Sequence, residues 1–386
     1  MTWTLLATCG LIAAAIPALM FLRNLQLFLP PMLSHGTAPQ GEPPKVSVLI
    51  PARDEASGIA DAVHAAVASE GVEIEVVVLD DHSTDDTAKI VTDLGRADRR
   101  VRLVHGKELP AGWNGKQFAC YQLAAAAAHD RWVFIDADVR LRGDGVRRLI
   151  AHQDALGAGL LSAFPRQVTG TWLEQWLIPM MHFILLGFLP IARMRQSRHP
   201  AYAAGCGQLF VTSREAYRQA GTHEALRGSR HDGLKLPMAY RRNGLSTDIV
   251  DGTEIASCRM YRGAGQVVRG LLKNASEGIA SPRLILPFTI ILLGGALLPW
   301  VTLVGGWRGG EPAAVILSVI AIALAHLPRL VAAARFRQSW LGAICQTPAV
   351  VTFVALQWWA LVQSLLGRQV AWRGRALPEP QEELSR

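Results

Sequence analysis

The chain has 386 residues and a formal net charge of +8, with 39 Lys and Arg against 31 Asp and Glu. Half of the residues are hydrophobic and the mean hydropathy is +0.22, which is high for a purely soluble protein. The five cysteines are scattered without CxxC spacing, which argues against a zinc site or a disulfide framework. The positive charge is scattered too and no binding motif accompanies it, so a nucleic-acid partner is not expected.

The first 33 residues are predicted to be a membrane anchor. Residues 3–22 carry no charge and are about long enough to span a bilayer. No basic segment precedes this run and Arg23 follows it, which favours an uncleaved anchor over a signal peptide and places the following chain in the cytoplasm. Residues 34–44 are rich in Pro and Gly and are predicted to be a linker.

A second membrane region is predicted at residues 283–366. Residues 284–306 and 313–333 are two candidate spans. The third candidate, 344–366, is interrupted by three glutamines, and a full crossing there would put the arginines after it outside the cell, against the positive-inside rule. This segment therefore either crosses the membrane as a further span, or re-enters it or lies in its interface.

Basic groups and then acidic groups follow in a predicted tail, residues 367–386. Two earlier segments, about 171–198 and 265–278, are apolar on one side and basic on the other or at one end, and are predicted to be interfacial helices.

Between the membrane regions, strand-like and helix-like segments alternate. Strands are predicted at 46–52, 73–81, 101–106 and 132–138, with helices at 58–69, 83–94 and 115–129. This alternation is typical of an α/β domain with a mostly parallel sheet. Such sheets bind ligands at the carboxyl ends of their strands.

Two of the predicted strands end in paired carboxylates. Asp80 and Asp81 follow the second strand, and Asp136 and Asp138 end the fourth. Side chains at i and i+2 of a strand share a face, and two adjacent carboxylates repel one another unless a cation lies near them. Carboxylate oxygens suit Mg²⁺ or Mn²⁺, which often share their ligand shell with substrate phosphates. A solvated strand end and a helix cap are the alternatives to a binding site.

Four motifs in order resemble the family 2 glycosyltransferases. They are VSVLIPARDE (46–55), VVVLDDHSTDDT (76–87), DAD (136–138) and SRHDG (229–233). The resemblance covers roughly residues 45–280 and implies a GT-A fold, an α/β domain with a Rossmann-like, mostly parallel sheet at 45–282. The flanking spans, GWNGK (112–116), RMYRGAGQVVRGLLKN (259–274) and AWRGR (371–375) resemble more narrowly the membrane-bound lipid glycosyltransferases associated with hopanoid and carotenoid pathways.

The resemblance implies a role for each matching residue. Asp54, with Glu55, and Asp81 would bind the nucleotide, and Asp138 assisted by Asp136 would hold Mg²⁺ or Mn²⁺ on the diphosphate. Asp136 would also bind the ribose of the nucleotide-sugar. Asp232 would be the general base that takes the proton of the acceptor hydroxyl.

Three basic residues are further candidates for binding the nucleotide-sugar. Lys116 is expected to meet a phosphate, the alternative being a surface lysine on a loop. Arg259 and Arg262 stand where relatives have a QxxRW-like element, but here the Gln and the Trp are missing. His231 replaces the usual acidic neighbour of the base, and either orients Asp232 or has no special role.

The predicted function is that of an inverting, metal-dependent glycosyltransferase. It would move a sugar from a nucleotide-sugar, expected to be UDP-linked, to a hydroxyl or carboxyl of a lipid acceptor. The catalytic domain is expected on the cytoplasmic face of the cell (inner) membrane. A processive polysaccharide synthase and a non-catalytic nucleotide-sugar-binding membrane scaffold are the alternatives.

Overall fold

The computed structural model describes residues 2–32, 42–275 and 277–366. Within these, the chain forms two compact units. The helical unit comprises the described residues of 1–27, 167–191 and 261–377, and the sheet unit those of 28–166, 192–260 and 378–386. Most of the predicted linker, the predicted tail and the AWRGR motif lie outside the described residues.

The sheet unit contains an eight-stranded sheet. Its strands are β1 (Lys45–Ala52), β2 (Glu73–Asp80), β3 (Val101–His105), β4 (Arg131–Ile135), β5 (Val139–Leu141), β6 (Leu160–Gln167), β7 (Leu209–Ser213) and β8 (Thr247–Cys258). Their order is β3-β2-β1-β4-β7-β6-β8-β5. The first four in this order pair in parallel, while β7 pairs antiparallel with β4 and β6, and β5 with β8. The sequence predicts an α/β fold with a mostly parallel sheet; the structure confirms the α/β fold, with a mixed sheet whose first four strands are parallel.

Helices lie against both faces of this sheet. They are α2 (Ile59–Val67), α3 (Thr87–Ala97), α4 (Gly115–Ala126), α5 (Gly145–Leu156), α8 (Ile191–Gln196), α9 (Arg214–Gln219) and α10 (Asp232–Arg242). Val48 and Ile50 of β1 belong to one buried apolar cluster, whereas Leu49 between them belongs to another. Alternate residues of the strand therefore face two separate cores, which is why the strand is apolar throughout.

The carboxyl ends of β1, β2 and β4 meet at one edge of the sheet. In the register, Ala52 pairs with Asp80 and Leu49 with Phe134. The strand predicted over 132–138 is shorter in the structure, because β4 ends at Ile135. The chain turns there: Val139 donates its N–H to the carbonyl of Asp136. The two acids of DAD thus lie on a turn at the predicted ligand-binding edge rather than on the strand itself.

The helical unit contains nine helices among its described residues. They are α1 (Trp3–Leu25), α6 (Trp172–Leu177), α7 (Met180–Phe188), α11 (Ala264–Ala275), α12 (Ile285–Ala296), α13 (Leu298–Gly309), α14 (Pro312–Arg335), α15 (Trp340–Ile344) and α16 (Gln346–Leu365). By length and composition, α1, α14 and α16 could each cross a membrane. The helices α12 and α13 pass the same test together, with a bend of 46° between them.

Helices α1 and α14 run side by side in the same direction. The carboxylate of Glu311, just before α14, accepts hydrogen bonds from the backbone N–H groups of Trp3 and Thr4 at the start of α1. Farther along, small side chains of the two helices pack together, which allows a close approach: Ala14, Ala321 and Ala325. Both helices therefore end on the same side of the bundle.

That shared side is basic. Arg23 lies in the last turn of α1 and Arg335 in the last turn of α14. The α12–α13 pair runs in the opposite direction, since Gly295 approaches Ala13 at the middle of α1 and Gly305 approaches Trp3 at its start. Arg23 and Arg335 thus lie at the same end of the bundle, which is the placement that the positive-inside rule describes, whereas Arg308 in the last turn of α13 lies at the other end.

Helix α16 packs along α12 in the reverse direction. Thr347 donates to the carbonyl of Ala296 at the end of α12, and the indole of Trp358 donates to Thr289 near its start. Its apolar side packs in a cluster with residues of α6, α7, α11 and α12. The helix therefore begins beside the α12–α13 bend, near the middle of α1, and runs back toward the beginning of α12.

A buried arginine joins α14 to two short helices. The guanidinium of Arg329, 1% exposed, donates to the carbonyls of Gln175 and Trp176 at the end of α6 and of Gly342 in α15. It also donates to the side-chain oxygen of Gln346. The last carbonyls of a helix lack partners within it and carry partial negative charge, so a cation there satisfies both needs.

The two segments predicted to be interfacial bury their apolar sides in the helical unit. Val267 of α11 is fully buried, whereas Arg262 before this helix and Arg269 on it are exposed. In α6, Leu177 is buried and Trp172 is 57% exposed. Basic and aromatic side chains thus remain on the outside, although their contact with a membrane stays a prediction.

Candidate active site

Three elements of the sheet unit bring Lys116, Asp136 and Asp232 together. Lys116 lies in the first turn of α4, where its backbone N–H donates to the side chain of the capping residue Asn114. Asp136 begins the turn after β4, and Asp232 is the first residue of α10. Lys116 Nζ lies 2.6 Å from Asp136 Oδ1 and 2.8 Å from Asp232 Oδ2. We call these three residues the lysine cluster.

The lysine cluster lies at a cleft rather than in a closed core. The side chains of Lys116, Asp136 and Asp232 are 21%, 28% and 15% exposed, so a ligand can reach all three. The carbonyl of Gly207 accepts a further hydrogen bond from Lys116 at 3.2 Å. The next residue, Gln208, accepts the N–H of Asp136. One loop before β7 thus fixes both the lysine and the turn that carries DAD.

Burial and charge shape the titration of the lysine cluster. Burial raises the pKa of Asp136 to about 7. The ammonium of Lys116 opposes this shift, but repulsion from Asp138 and Asp232 adds to it. Burial would also raise the pKa of Asp232, but the contact with Lys116 outweighs it and leaves this pKa below its usual range. Asp232 is therefore the ionised carboxylate of the pair, as a general base must be.

Asp138 offers an oxygen suited to a cation. Its Oδ1 is buried and has no hydrogen-bond partner among the described residues. Burying a carboxylate oxygen costs free energy unless a cation or a hydrogen-bond donor contacts it. Among the described residues, no three His, Cys, Asp or Glu side chains stand close enough to hold a metal ion by themselves. Asp138 and Asp136 therefore fit Mg²⁺ or Mn²⁺ only as a partial ligand set, of the kind that substrate phosphates complete.

Asp54, Glu55 and Asp81, which are predicted to bind the nucleotide, lie where the parallel strands β1 and β2 end side by side. Asp54 has φ of +53°, a left-handed conformation in which Asp is enriched among non-glycine residues. Its Oδ1 accepts the backbone N–H of Thr84 at 2.7 Å and the hydroxyl at 3.1 Å. Its own N–H donates to the hydroxyl of Ser83, and the N–H of Glu55 donates to that of Thr87.

These bonds explain why α3 begins later than predicted. The sequence pattern predicts a helix from residue 83, but α3 begins at Thr87. The hydroxyls and acids of DDHSTDDT bond instead to the loop after β1, an alternative that Ser, Thr and Asp offer to the backbone. Hydrogen bonds thus join the loop after β1 to the loop after β2 at the sheet edge. We call these two loops, residues 53–55 and 81–87, the rim.

Arg53 was not predicted from the sequence as a site residue, but it joins this rim. Its Nη1 donates to the carbonyl of Asp81 at 2.7 Å and lies 3.7 Å from the carboxylate of the same residue. Its Nε is buried without an acceptor among the described residues. The sequence did contain a signal for Arg53, because this basic residue stands directly after a buried strand and before two acids.

Gly207 was missed as well. A Cβ at this position would collide with the carboxylate of Asp232, so only glycine leaves room for this side chain. No local pattern in the sequence reveals this requirement, because the two residues meet only in the folded chain.

The remaining candidates are Arg259, Arg262 and His231. Arg259 follows β8 in the sheet unit and is exposed. Arg262 is exposed before α11 in the helical unit. Their roles stay predictions. His231 stands directly before α10 without a side-chain capping bond, and its backbone N–H donates to the hydroxyl of Ser229. Its charge helps to lower the pKa of Asp232, so both interpretations of this residue remain.

The chain matches a known sequence family over much of the sheet unit. The family described as "Glycosyl transferase family 2" matches residues 47–221. The chain contains a family 2 glycosyltransferase domain. This confirms the family that the motifs within these residues indicate.

Curated relatives of the glycosyltransferase domain include a protein of Staphylococcus aureus (strain USA300) named 4,4'-diaponeurosporenoate glycosyltransferase. It is 29% identical over 254 residues, which are 64% of this chain and 66% of the relative. The match thus spans just under two thirds of the relative's length.

Solved structures support the GT-A fold. The mannosyltransferase PcManGT of Pyrobaculum calidifontis, in complex with GDP-Man and Mn²⁺, has a TM-score of 0.55 and 18% identity, covering 95% of this chain and 100% of that one. At this identity the likeness concerns the fold alone, which it confirms. A more distant likeness is to glucosyl-3-phosphoglycerate synthase of Mycobacterium tuberculosis, in complex with Mn²⁺ and UDP-glucose, with a TM-score of 0.39 and 21% identity over 64% of this chain and 86% of that one.

Proposed function

We propose that the protein is an inverting glycosyltransferase that transfers a sugar from a nucleotide-sugar to a lipid acceptor at a membrane. The lysine cluster carries this proposal, since it places a shielded, ionised carboxylate beside the acids of DAD in one cleft. The family match, and the relative named for 4,4'-diaponeurosporenoate, support a hydroxyl or carboxyl of a carotenoid-related or hopanoid-related lipid as the acceptor. UDP is the proposed nucleotide.

Each residue has a task in the proposed reaction. The rim of Asp54 and Asp81 binds the nucleoside, and Asp138 with Asp136 holds the divalent cation on the diphosphate. When bound, Mg²⁺ or Mn²⁺ neutralises the charge that develops on the leaving diphosphate. Lys116 stabilises the same charge from the start of α4.

Asp232 is the proposed general base. It accepts the proton of an acceptor hydroxyl as the oxygen forms its bond to the anomeric carbon. The sugar–phosphate bond breaks on the opposite face, so the configuration at this carbon inverts. An acceptor carboxylate would need no proton removed, and Asp232 would then orient it through Lys116.

The proposed location is the cytoplasmic face of the cell membrane. The basic ends of α1 and α14 lie on one side of the helical unit, and the positive-inside rule assigns that side to the cytoplasm.

Labelled nucleotide-sugars test the proposal. Membranes that contain the protein are incubated with each labelled donor, with and without EDTA, and the lipids are extracted. We expect label in the lipid fraction from one donor, lost with EDTA and restored by Mn²⁺. Label that stays in free sugar or in polymer for every donor would contradict the lipid-acceptor proposal.

A further inference from the structure

Lys116 contacts two carboxylates that the proposed reaction uses for different tasks. Asp136 is a proposed metal ligand and Asp232 is the proposed base, and the same ammonium lies 2.6 Å from one and 2.8 Å from the other. At these distances nothing else fits between the nitrogen and either oxygen. The lysine thus occupies the place where both a cation and an acceptor would bind.

Three oxygen acceptors hold the ammonium of Lys116 in this position. They are the carboxylates of Asp136 and Asp232 and the carbonyl of Gly207, which lies at 3.2 Å. The lysine thus directs its whole charge into the cleft. Its flexible four-carbon stem, attached to the capped first turn of α4, allows the charge to move while the helix stays in place.

The remaining oxygen ligands are too few to hold a metal alone. Asp138 Oδ1 is available, but Asp136 is engaged with Lys116 and no third acidic, His or Cys ligand stands close enough among the described residues. Mg²⁺ and Mn²⁺ need several oxygens, and phosphates commonly supply them. A diphosphate would also attract the ammonium, since a lysine binds phosphate as a point charge.

We propose that Lys116 is an internal counter-ion that keeps the metal site and the base closed until the nucleotide diphosphate binds. The diphosphate would draw the ammonium away from both carboxylates, which would leave Asp136 available as a metal ligand and Asp232 available to the acceptor. This inference rests on the proposed function and adds to it a role for one side chain of the cleft.

Mn²⁺ binding to the full-length protein tests the inference without turnover. The purified protein in detergent is titrated with Mn²⁺ in the presence and absence of UDP, and free Mn²⁺ is measured by electron paramagnetic resonance. For the wild type we expect weak binding without UDP and binding at least about tenfold tighter with it. Because such coupling is reciprocal, Mn²⁺ tightens UDP binding by the same factor.

Two variants separate the role of the charge from a general disturbance. Lys116→Met removes the ammonium but keeps the apolar stem, and we expect it to bind Mn²⁺ without UDP at least about tenfold more tightly than the wild type, with little further effect of UDP. Lys116→Arg keeps the charge and the dependence on UDP. Lys89→Met removes an exposed lysine of α3 and is the matched control, expected to behave as the wild type.

The outcomes distinguish this inference from the proposed function. If the wild type transfers sugar but binds Mn²⁺ without UDP as tightly as Lys116→Met does, the counter-ion role is wrong and the proposed function stands. If the wild type transfers no sugar and binds no Mn²⁺ even with UDP, both are wrong. Unchanged thermal unfolding of Lys116→Met shows that its result does not come from a loss of folding.

Discussion

The ammonium nitrogen of Lys116 lies 2.8 Å from Oδ2 of Asp232, and this ion pair joins the start of α4 to the start of α10. Asp232 is also the first residue of α10, where the partial positive charge of a helix start favours a carboxylate. The proposed base is therefore held by charge from two sources, and its position depends on the loop that contains Gly207.

That loop provides the first prediction, at Gly207. A methyl group there would collide with the carboxylate of Asp232 and push it away from Lys116. Because the base must lie within hydrogen-bond reach of its proton, we expect Gly207→Ala to lower kcat by about a hundredfold, with a much smaller effect on the KM for the donor. Steady-state kinetics with the labelled donor measure both constants.

Gly263→Ala is the matched control for this variant. A Cβ at Gly263 meets no atom within 4 Å, so its addition should leave the rate unchanged. A normal kcat for Gly207→Ala would show that Asp232 does not have to stay where the structure places it.

The second prediction concerns stability in acid. Burial by itself raises the pKa of Glu75, but hydrogen bonds from the hydroxyl of Ser47, the N–H of Ala128 and Arg102 outweigh it and leave the pKa below its ordinary value of 4.5. A lowered pKa in the folded state stabilises the fold above pH 4.5, and this contribution is lost as the pH falls through the lower folded value.

The free energy of unfolding, measured by denaturant titration over this range, checks the sign. We expect the wild type to lose more stability than Glu75→Gln on going from neutral pH to about pH 3.5. Equal losses in the two proteins would mean that the carboxylate of Glu75 gains nothing from its partners in the fold.

The third prediction concerns Arg329. Replacing it with Met would remove the donor to the carbonyl of Gly342, whose bond is buried, and to those of Gln175 and Trp176, whose bonds are partly buried. Since each unsatisfied buried carbonyl is costly, we expect Arg329→Met to destabilise the protein by about 2 kcal/mol or more. Arg308→Met, at an exposed site in the last turn of α13, should have a negligible effect. Thermal unfolding in detergent compares them, and equal melting temperatures would exclude a capping role for Arg329.

The fourth prediction is the side of the membrane on which the chain ends. Helix α16 runs back along α12, toward the end of the bundle at which α1 and α14 finish. We therefore expect a tag after Arg386 to be accessible from the cytoplasm. Protease protection in right-side-out and inverted vesicles measures this, and a tag that is cleaved only from outside would show a full crossing by α16 instead.

Much of the architecture could be predicted because local patterns determine it. Runs of apolar residues gave the strands, and the acids after β2 and β4 gave the ligand-binding edge. DAD was correctly placed at this edge, although its acids lie on a turn and not on the strand. The turn depends on Gln208, which accepts the N–H of Asp136 from a distant part of the chain.

Long-range contacts explain what the sequence did not reveal. Lys116 was expected to meet a phosphate, but its pairing with Asp136 and Asp232 requires three segments that only the fold brings together. The later start of α3 has the same origin, because Ser83 and Thr84 bond to Asp54 across the sheet edge. Periodicity and helix caps describe neighbours in sequence and cannot report such pairs.

The central claim is that one carboxylate of DAD and Asp232 act together in sugar transfer to a lipid. The rate of label transfer from the nucleotide-sugar to extracted lipid, compared between the wild type and the single variants Asp138→Ala and Asp232→Ala, tests it most directly. We expect each variant to lose at least about a hundredfold in rate, whereas Asp61→Asn, at an exposed position of α2, keeps the full rate. Transfer at the wild-type rate by both alanine variants would contradict the claim.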